Sequence, residues 1–276
     1  MLDGGYSTES ALAQRNPKVI ASLLPKWEWA YEHYFNVKTE GWHHVPPQAL
    51  FVGSHNGGLA APDLLMLMVD WFRRFGCERP MYGLMHPKVW EMSPEAAQLG
   101  ARCGAVPAKP RFAIAALQRG ASVLVFPGGA QDVFRPHRDR HRIQLAGRTG
   151  FIKLALRENV PIVPVISCGA HDTFIVLGDC YEQAKWLNKK GLLPWVKGID
   201  PEVFPIYLGW PWGLAIGPLP NVPWPHQIHT RVCAPIKFER TGRAAAKDSH
   251  YVQACYHQVV QQMQTELDHL VANLKA

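Results

Sequence analysis

The sequence predicts an α/β protein built on a mostly parallel sheet flanked by helices, with an N-terminal amphipathic helical segment and a C-terminal helix. Three observations predict it. The short runs Ala49 to Gly53, Val123 to Phe126 and Pro161 to Ser167 are almost wholly apolar, so they read as strands buried on both faces. Segments with helical apolar spacing alternate with them, as in a sheet covered by helices on each side. Two of the runs lead into glycine pairs, Gly57-Gly58 and Gly128-Gly129, at the carboxyl ends of strands, where ligands bind in such sheets.

The first segment, residues 1–16, is polar and is expected to be mobile. Residues 17–45 form an N-terminal helical segment, in which Val19, Ile20, Leu23, Leu24, Trp27, Trp29, Ala30 and Tyr34 recur at helical spacing. Pro25 lacks an N–H and clashes with the preceding turn, so a kinked pair or a bent interfacial helix is expected there. Its apolar face either covers the core or docks on a membrane; periodicity does not separate the two.

The α/β core, residues 46–243, continues with a helix from Asp63 to Phe75, a strand from Met81 to Leu84, a helix from Ser93 to Leu99 and the short run Ala105-Val106-Pro107. A helix from Phe112 to Arg119 precedes the strand at Val123, and a helix from Gly150 to Glu158 precedes the strand at Pro161. Leu187 to Val222 is dense in Trp, Pro and Gly, which excludes a long regular helix. It reads either as an ordered cap over the sheet or as a lipid-facing lip. A strand near Ile228 to Cys233, then Pro235 to Phe238, leads into a final helix, Ala244 to Leu274, within residues 244–276. Its apolar positions Val252, Tyr256, Val259, Met263, Leu267 and Leu270 lie three to four apart. No repeat or linker interrupts the chain, so residues 1–276 are expected to be a single domain.

The net charge of +7 favours an acidic partner: a nucleic acid, an anionic bilayer or a phosphorylated substrate. No block of Lys and Arg resembles a nucleic-acid arm, whereas ten Trp, many beside Pro or Gly, suit a lipid interface. No nucleic-acid partner is therefore expected. Six scattered cysteines without a C-x-x-C pair read as reduced thiols. The first residues show no basic-then-apolar export signal, and no apolar run approaches the roughly 18 to 20 residues that span a bilayer. A cytoplasmic protein, peripherally associated with the cytosolic face of a membrane, is the expectation.

A histidine delivered by a strand into a glycine-rich turn is well placed as a general base, because a neutral imidazole is available around pH 7; this singles out His55, with Asp63 just beyond the turn. The densest charge run is Arg135-Pro136-His137-Arg138-Asp139-Arg140-His141-Arg142. His137 and His141 are four apart, but Pro136 and the lack of a third ligand argue against a metal. The run reads as a basic flap over the site or as a solvated loop.

Four segments carry a family resemblance, in order: Val52-Gly53-Ser54-His55-Asn56-Gly57-Gly58; Leu99-Gly100-Ala101 through Gly104-Ala105-Val106-Pro107-Ala108; Val125-Phe126-Pro127-Gly128-Gly129-Ala130-Gln131-Asp132; and Arg148 to Ala155 with Pro161 to Val165. Together they resemble the lysophospholipid acyltransferase superfamily, the glycerolipid O-acyltransferases, and look closest to its diacylglycerol acyltransferase-like branch. The resemblance implies the fold of a glycerolipid acyltransferase and the transfer of a fatty acyl chain from acyl-CoA or acyl-ACP to a lipid hydroxyl. It implies no metal and no tightly bound cofactor, since the thioester is a co-substrate. His55 would take the proton from the acceptor hydroxyl.

The usual family pattern places an aspartate five positions after the histidine; Ala60 stands there, and Asp63 either orients the imidazole or caps the next helix. Where the family's third block usually carries a glutamate, this chain has Gly128. That favours a neutral acceptor, diacylglycerol or another lipophilic alcohol, with a lysophospholipid still open. Gly57, Gly58, Gly128 and Gly129 would serve as an oxyanion or substrate loop, or only as tight turns. Lys109, Arg111, Arg148 and Lys153 would bind acceptor or donor phosphates, or are ordinary solvated charges. A non-catalytic lipid-binding protein of the same fold is an alternative. So is a lipid esterase, against which the absence of a G-x-S-x-G nucleophile elbow argues.

Overall fold

The structure is a computed structural model and describes residues 7–275; residues 1–6 of the segment expected to be mobile lie outside it. The rest of that segment is ordered, contrary to expectation. The helix α1 (Thr8–Leu12) is capped by Ser7, whose hydroxyl accepts the Ser10 N–H at 3.1 Å, and buries Ala11 and Leu12 against the core. The Tyr82 hydroxyl donates to the Leu12 carbonyl at 3.0 Å. Arg15 donates to the Arg79 carbonyl at 3.2 Å and the Asn16 N–H to the Arg102 carbonyl at 2.8 Å, so two buried apolar side chains and several tethers hold a segment that its polarity alone leaves unspecified.

The helix α2 (Pro17–Trp29) runs through Pro25 and widens into one π turn at Ala30–Tyr34. Ile20 on α2 and Tyr31 and Phe35 just beyond it are buried in the core, so the apolar face of this segment covers the sheet. Next, β1 (Lys38–Glu40) and β2 (Leu50–Gly53) precede α3 (Pro62–Phe75). Then β3 (Met81–Met85) is followed by α4 (Pro87–Met92) and α5 (Pro94–Arg102), β4 (Ala105–Pro107) by α6 (Pro110–Gln118), and β5 (Ser122–Val125) by α7 (Gly129–Val133) and α8 (Gly150–Glu158). After β6 (Ile162–Cys168) come β7 (Ile175–Asp179), α9 (Tyr181–Lys189), β8 (Pro205–Gly209) and β9 (Gly213–Ile216). Last, β10 (His229–Val232) leads to α10 (Gly242–Lys247) and α11 (Ser249–Lys275). The single final helix expected from Ala244 is therefore two: Asp248 is extended (φ −74°, ψ 99°), and its carboxylate accepts the Tyr251 N–H at 3.1 Å, capping α11.

The main sheet has seven strands in the order β1-β10-β6-β2-β5-β3-β4. The run from β6 to β4 is parallel; β10 is antiparallel to β6, and β1 is parallel to β10. Successive side chains point to opposite faces. Leu50, Val52, Val123, Ile162 and Ile166 pack on one face against α6, α8 and α11, while Phe51, Leu124, Val163 and Val165 pack on the other against α2 and α3. Burial on both faces is why these strands have no polar alternation. Among the described residues no helix is long and apolar enough to cross a membrane.

Residues Leu187 to Val222 hold part of a second, three-stranded antiparallel sheet, β7-β8-β9, that periodicity had not resolved. Its inner residues Val176, Tyr207 and Ala215 pack with Phe174 against Val133 and Phe134 at the end of α7. Because β2 lies between β6 and β5, the turn after it is flanked by the loops that leave both neighbours.

Phe51 is fully buried and meets Trp71 edge to face at 5.6 Å between ring centroids. Phe51→Ala should lower the unfolding free energy by about 3–5 kcal/mol in urea titration. A loss under about 1 kcal/mol would mean that this face of the sheet is not the packed core described above.

Candidate active site

His55 stands two residues beyond β2, and glycines set its surroundings. A Cβ on Gly53 would lie 2.3 Å from the Phe126 ring; its absence lets Phe126 close on the strand end, where its ring sits 4.6 Å from the imidazole. Gly57 and Gly58 are left-handed (φ +84° and +66°), and a Cβ on Gly57 would meet Pro62 at 2.3 Å. The turn continues through a short 3₁₀ segment, Gly58–Ala60, and a left-handed Ala61 into α3.

This extended path returns the second residue of α3, Asp63, beneath the imidazole. His55 Nδ1 lies 3.4 Å from Asp63 Oδ2. Asp63 is buried; its Oδ2 accepts the Asn56 N–H at 2.7 Å, and its Oδ1 the Leu64 N–H at 2.8 Å. A carboxylate only accepts, so its place beside Nδ1 assigns the imidazole proton there and leaves the Nε2 lone pair available. Burial works to lower the pKa of His55, but Asp63, supported by Asp132, outweighs it and holds the group above its ordinary 6.5.

Asp132 and Arg135, three apart on and just beyond α7, form a wholly buried ion pair, Nη1 to Oδ1 2.9 Å. Asp132 Oδ2 accepts the His55 N–H, while Arg135 Nη1 donates to the His55 carbonyl at 2.8 Å and Nη2 donates to Asn56 Oδ1. The backbone of His55 is thus gripped on both sides. Arg135 also reaches the carbonyls of Asp139 and Arg140, at 3.2 and 2.8 Å, so each of its nitrogens has a partner. Burial pushes the Asp132 carboxyl up to about 6 despite the pull of Arg135. His171 accompanies them, its Nε2 donating to the Arg135 carbonyl at 2.9 Å; burial, with the nearby Arg135 charge, holds it down at about 3, neutral.

The charge run from Arg135 is therefore only in part a solvated loop, with Arg138 and Arg142 exposed. Arg135 turns inward, while His137 and Arg140 pair with Asp172 at 2.9 and 3.3 Å. His137 and His141 do not converge: His141 Nε2 lies 3.8 Å from Cys168 Sγ. Among the described residues no group of three His, Cys, Asp or Glu side chains is placed to hold a metal.

The other expected residues divide. A Cβ on Gly128 would lie 2.2 Å from the Gln144 carbonyl oxygen and 2.3 Å from Asp132 Cβ, so no side chain fits there. Gly129 (φ +56°) has its N–H committed to the Phe126 carbonyl at 3.3 Å, which corrects the expectation that this amide is free for an oxyanion. Arg148 lies over this loop, donating to the Pro127 carbonyl at 3.1 Å and reaching Glu202 at 3.4 Å. Glu202 also takes Lys88 at 2.7 Å and His86 at 3.7 Å. Lys109 and Arg111 follow β4, three strand intervals and about 14 Å from β2; Arg111 lies over the Phe112 ring. Lys153 is exposed in the first turn of α8. So His55, Asp63, the two glycine pairs and Arg148 gather, and Lys109 and Arg111 stand apart at the sheet edge.

Two elements of the site were not read from sequence. The Asp132-Arg135 clamp has a signal, an acid and a base three apart just after a glycine pair, but the same pattern describes a solvated helix. Asn221 has none: it is buried against Gly58, and its Oδ1 would lie 2.7 Å from a Cβ there.

The chain matches known proteins over much of its length. The sequence pattern of the family described as Diacylglycerol acyltransferase matches residues 109–272, and that described as Acyltransferase matches residues 36–167. An uncharacterized protein of Mycobacterium tuberculosis is 30% identical over 161 residues, 58% of this chain and 44% of that one. Diacylglycerol O-acyltransferase 2 of Bos taurus is 28% identical over 145 residues, covering 51% and 38%. 2-acylglycerol O-acyltransferase 3 of Homo sapiens is 26% identical over 160 residues, covering 55% and 43%. The chain thus spans less than half the length of these curated relatives. The crystal structure of the 1-acyl-sn-glycerophosphate (LPA) acyltransferase of Thermotoga maritima superposes with a TM-score of 0.51 over 97% of this chain and 84% of that one at 16% identity, a likeness of fold.

Removing one partner of a buried ion pair strands the other charge. Arg135→Ala should therefore lose about 3–5 kcal/mol of stability in denaturant titration. A variant as stable as the parent would show that Arg135 does not clamp the turn.

Proposed function

The chain belongs to the diacylglycerol acyltransferase family, and from that premise we propose that it transfers a fatty acyl chain from acyl-CoA or acyl-ACP to a lipid hydroxyl. The observation that carries the reading is the His55-Asp63 pair, presented at the carboxyl end of the central strand by a turn that Asp132 and Arg135 fix in place. His55 Nε2 takes the proton of the acceptor hydroxyl as its oxygen attacks the thioester carbonyl. The tetrahedral intermediate collapses with cleavage of the C–S bond, and the imidazolium returns the proton to the departing thiolate. Asp63 holds the tautomer and stabilises the imidazolium. The backbone amides of Gly57 and Gly58, beside the base, are the nearest candidates for the oxyanion.

A neutral acceptor such as diacylglycerol or another lipophilic alcohol fits best, because position 128 has no room for an acidic side chain. A lysophospholipid is the next candidate. Arg148, with Lys88 and His86 beside Glu202, is placed to meet donor phosphates. The acceptor is a lipid and the chain carries +7, so the reaction belongs at a membrane, with the protein cytoplasmic and peripheral on its cytosolic face.

Incubation with radiolabelled acyl-CoA and a total lipid extract, followed by thin-layer chromatography, should give one labelled lipid. His55→Ala should cut its rate by about 10²–10⁴-fold; a folded variant with parental rate would end the proposal. The pH profile provides a second check. With Asp63 raising the pKa, kcat/KM should fall with acidification through a midpoint above 6.5, as His55 takes up its proton. In Asp63→Asn the lowering effect of burial is no longer outweighed, so that midpoint should move to lower pH while the plateau rate drops. A midpoint that stays fixed would separate Asp63 from the base.

A further inference from the structure

The chemistry at His55 leaves the outer face of the β7-β8-β9 sheet unexplained. An antiparallel sheet with one wet face ordinarily turns polar side chains outward. Here the register sets Leu208 opposite Ile175 on one side and Leu214 on the other, with Ile206 opposite Ile216. These are the residues alternate to the buried Val176, Tyr207 and Ala215, so they share the outer face; Leu214 is 63% exposed and Ile216 56%. From Val203 to Pro225 the chain has no charged side chain.

The β8-β9 turn carries Trp210 and Trp212, 58% and 52% exposed. The Trp212 indole N–H donates to the Pro220 carbonyl at 2.6 Å, so its polar edge is satisfied within the protein and its ring body is left to the outside. Beside this face, α9 and the segment after it expose Trp186, Leu192 and Val196. Residues 183–199 contain Lys185, Lys189, Lys190 and Lys197 and no acid.

We propose that this face, with its tryptophan turn and lysine border, is the surface on which the protein sits on a bilayer carrying anionic headgroups. Aliphatic side chains and indoles enter the interface while lysines meet lipid phosphates. A second copy of the chain is a poorer occupant, because a twofold contact would set the same lysines near each other. The sheet adjoins the His55 turn through its inner layer: Asn221, beyond β9, lies on Gly58, the inner-layer Phe174 touches the same position, and the Trp224 N–H donates to the Thr173 carbonyl at 2.8 Å. Leu59, next in that turn, is 53% exposed. A bilayer at this face would thus lie near the exposed Leu59 of the His55 turn, one sheet thickness away; delivery of a lipid to His55 rests on the proposed acyl transfer, whereas the docking itself does not.

The test is co-sedimentation of the full chain with vesicles of phosphatidylcholine, with and without phosphatidylglycerol. Leu214→Glu/Ile216→Glu should weaken vesicle partitioning by at least about tenfold. Lys189→Gln/Lys190→Gln should weaken it only where phosphatidylglycerol is present, and less so at high salt. Both pairs should melt like the parent and retain the parental rate on a short-chain acceptor dispersed in water. Parental binding by the glutamate variant would overturn the proposal, as would a parent that ignores both vesicles. So would a parent that light scattering finds dimeric and the variant monomeric, since the face would then join two copies. If no acceptor is acylated but vesicle binding still depends on Leu214 and Ile216, docking stands and the acyltransferase reading falls.

Discussion

The buried ion pair between Asp132 and Arg135 is the constraint on which the site depends. Two charges out of water are tolerated only when every lone pair and proton finds a partner, and here partners are drawn from the His55 turn itself: the His55 N–H, the His55 carbonyl and the Asn56 side chain. Since the pair sits at α7, directly after β5, and the turn follows the neighbouring β2, the loop of one strand grips that of the next. Desolvation becomes a positioning device: any movement of His55 away from Asp63 would unpair a buried charge.

The same arrangement couples the titrations. Burial pushes Asp132 up to about 6, Asp63 with Asp132 raises His55 against its own burial, and the two groups are joined through the His55 N–H. Asp132 helps keep the imidazole protonated, so its own protonation weakens that hold. Asp63 is held from the other side: it accepts the Asn56 and Leu64 N–H groups at 2.7 and 2.8 Å and faces the imidazole at 3.4 Å.

The parts legible in the sequence were those whose physics is local. Leu50 to Val52 and Ile162 to Val165 are apolar throughout because helices cover both faces, and α3 and α8 show a single apolar stripe. His55 and Asp63 were legible as a pair because left-handed glycines allow the turn between them to lengthen. Other features depend on what the chain meets elsewhere. Arg135 looks solvated in a run of arginines and becomes buried only because Asn56 and the His55 carbonyl await it. The helix α4 buries none of its residues, so no periodicity marks it. The strands β8 and β9 hide among Pro, Gly and Trp because their outer face is apolar too, which erases the alternation that identifies a half-buried strand.

Position 128 links this architecture to the choice of substrate. The space that a side chain would need is filled by the Gln144 carbonyl and by Asp132, the residue whose carboxylate clamps His55. Placing the buried acid on α7 and keeping a side chain in the loop are thus mutually exclusive with this backbone. The loop is left without an acid of its own and is covered instead by Arg148, whose neighbour Glu202 is shared with Lys88 and His86. One carboxylate among two fixed cations and a histidine leaves an excess of positive charge at this rim. On the proposed acyl transfer such a rim would suit donor phosphates, while the uncharged segment from Val203 to Pro225 meets the turn through Asn221 at Gly58.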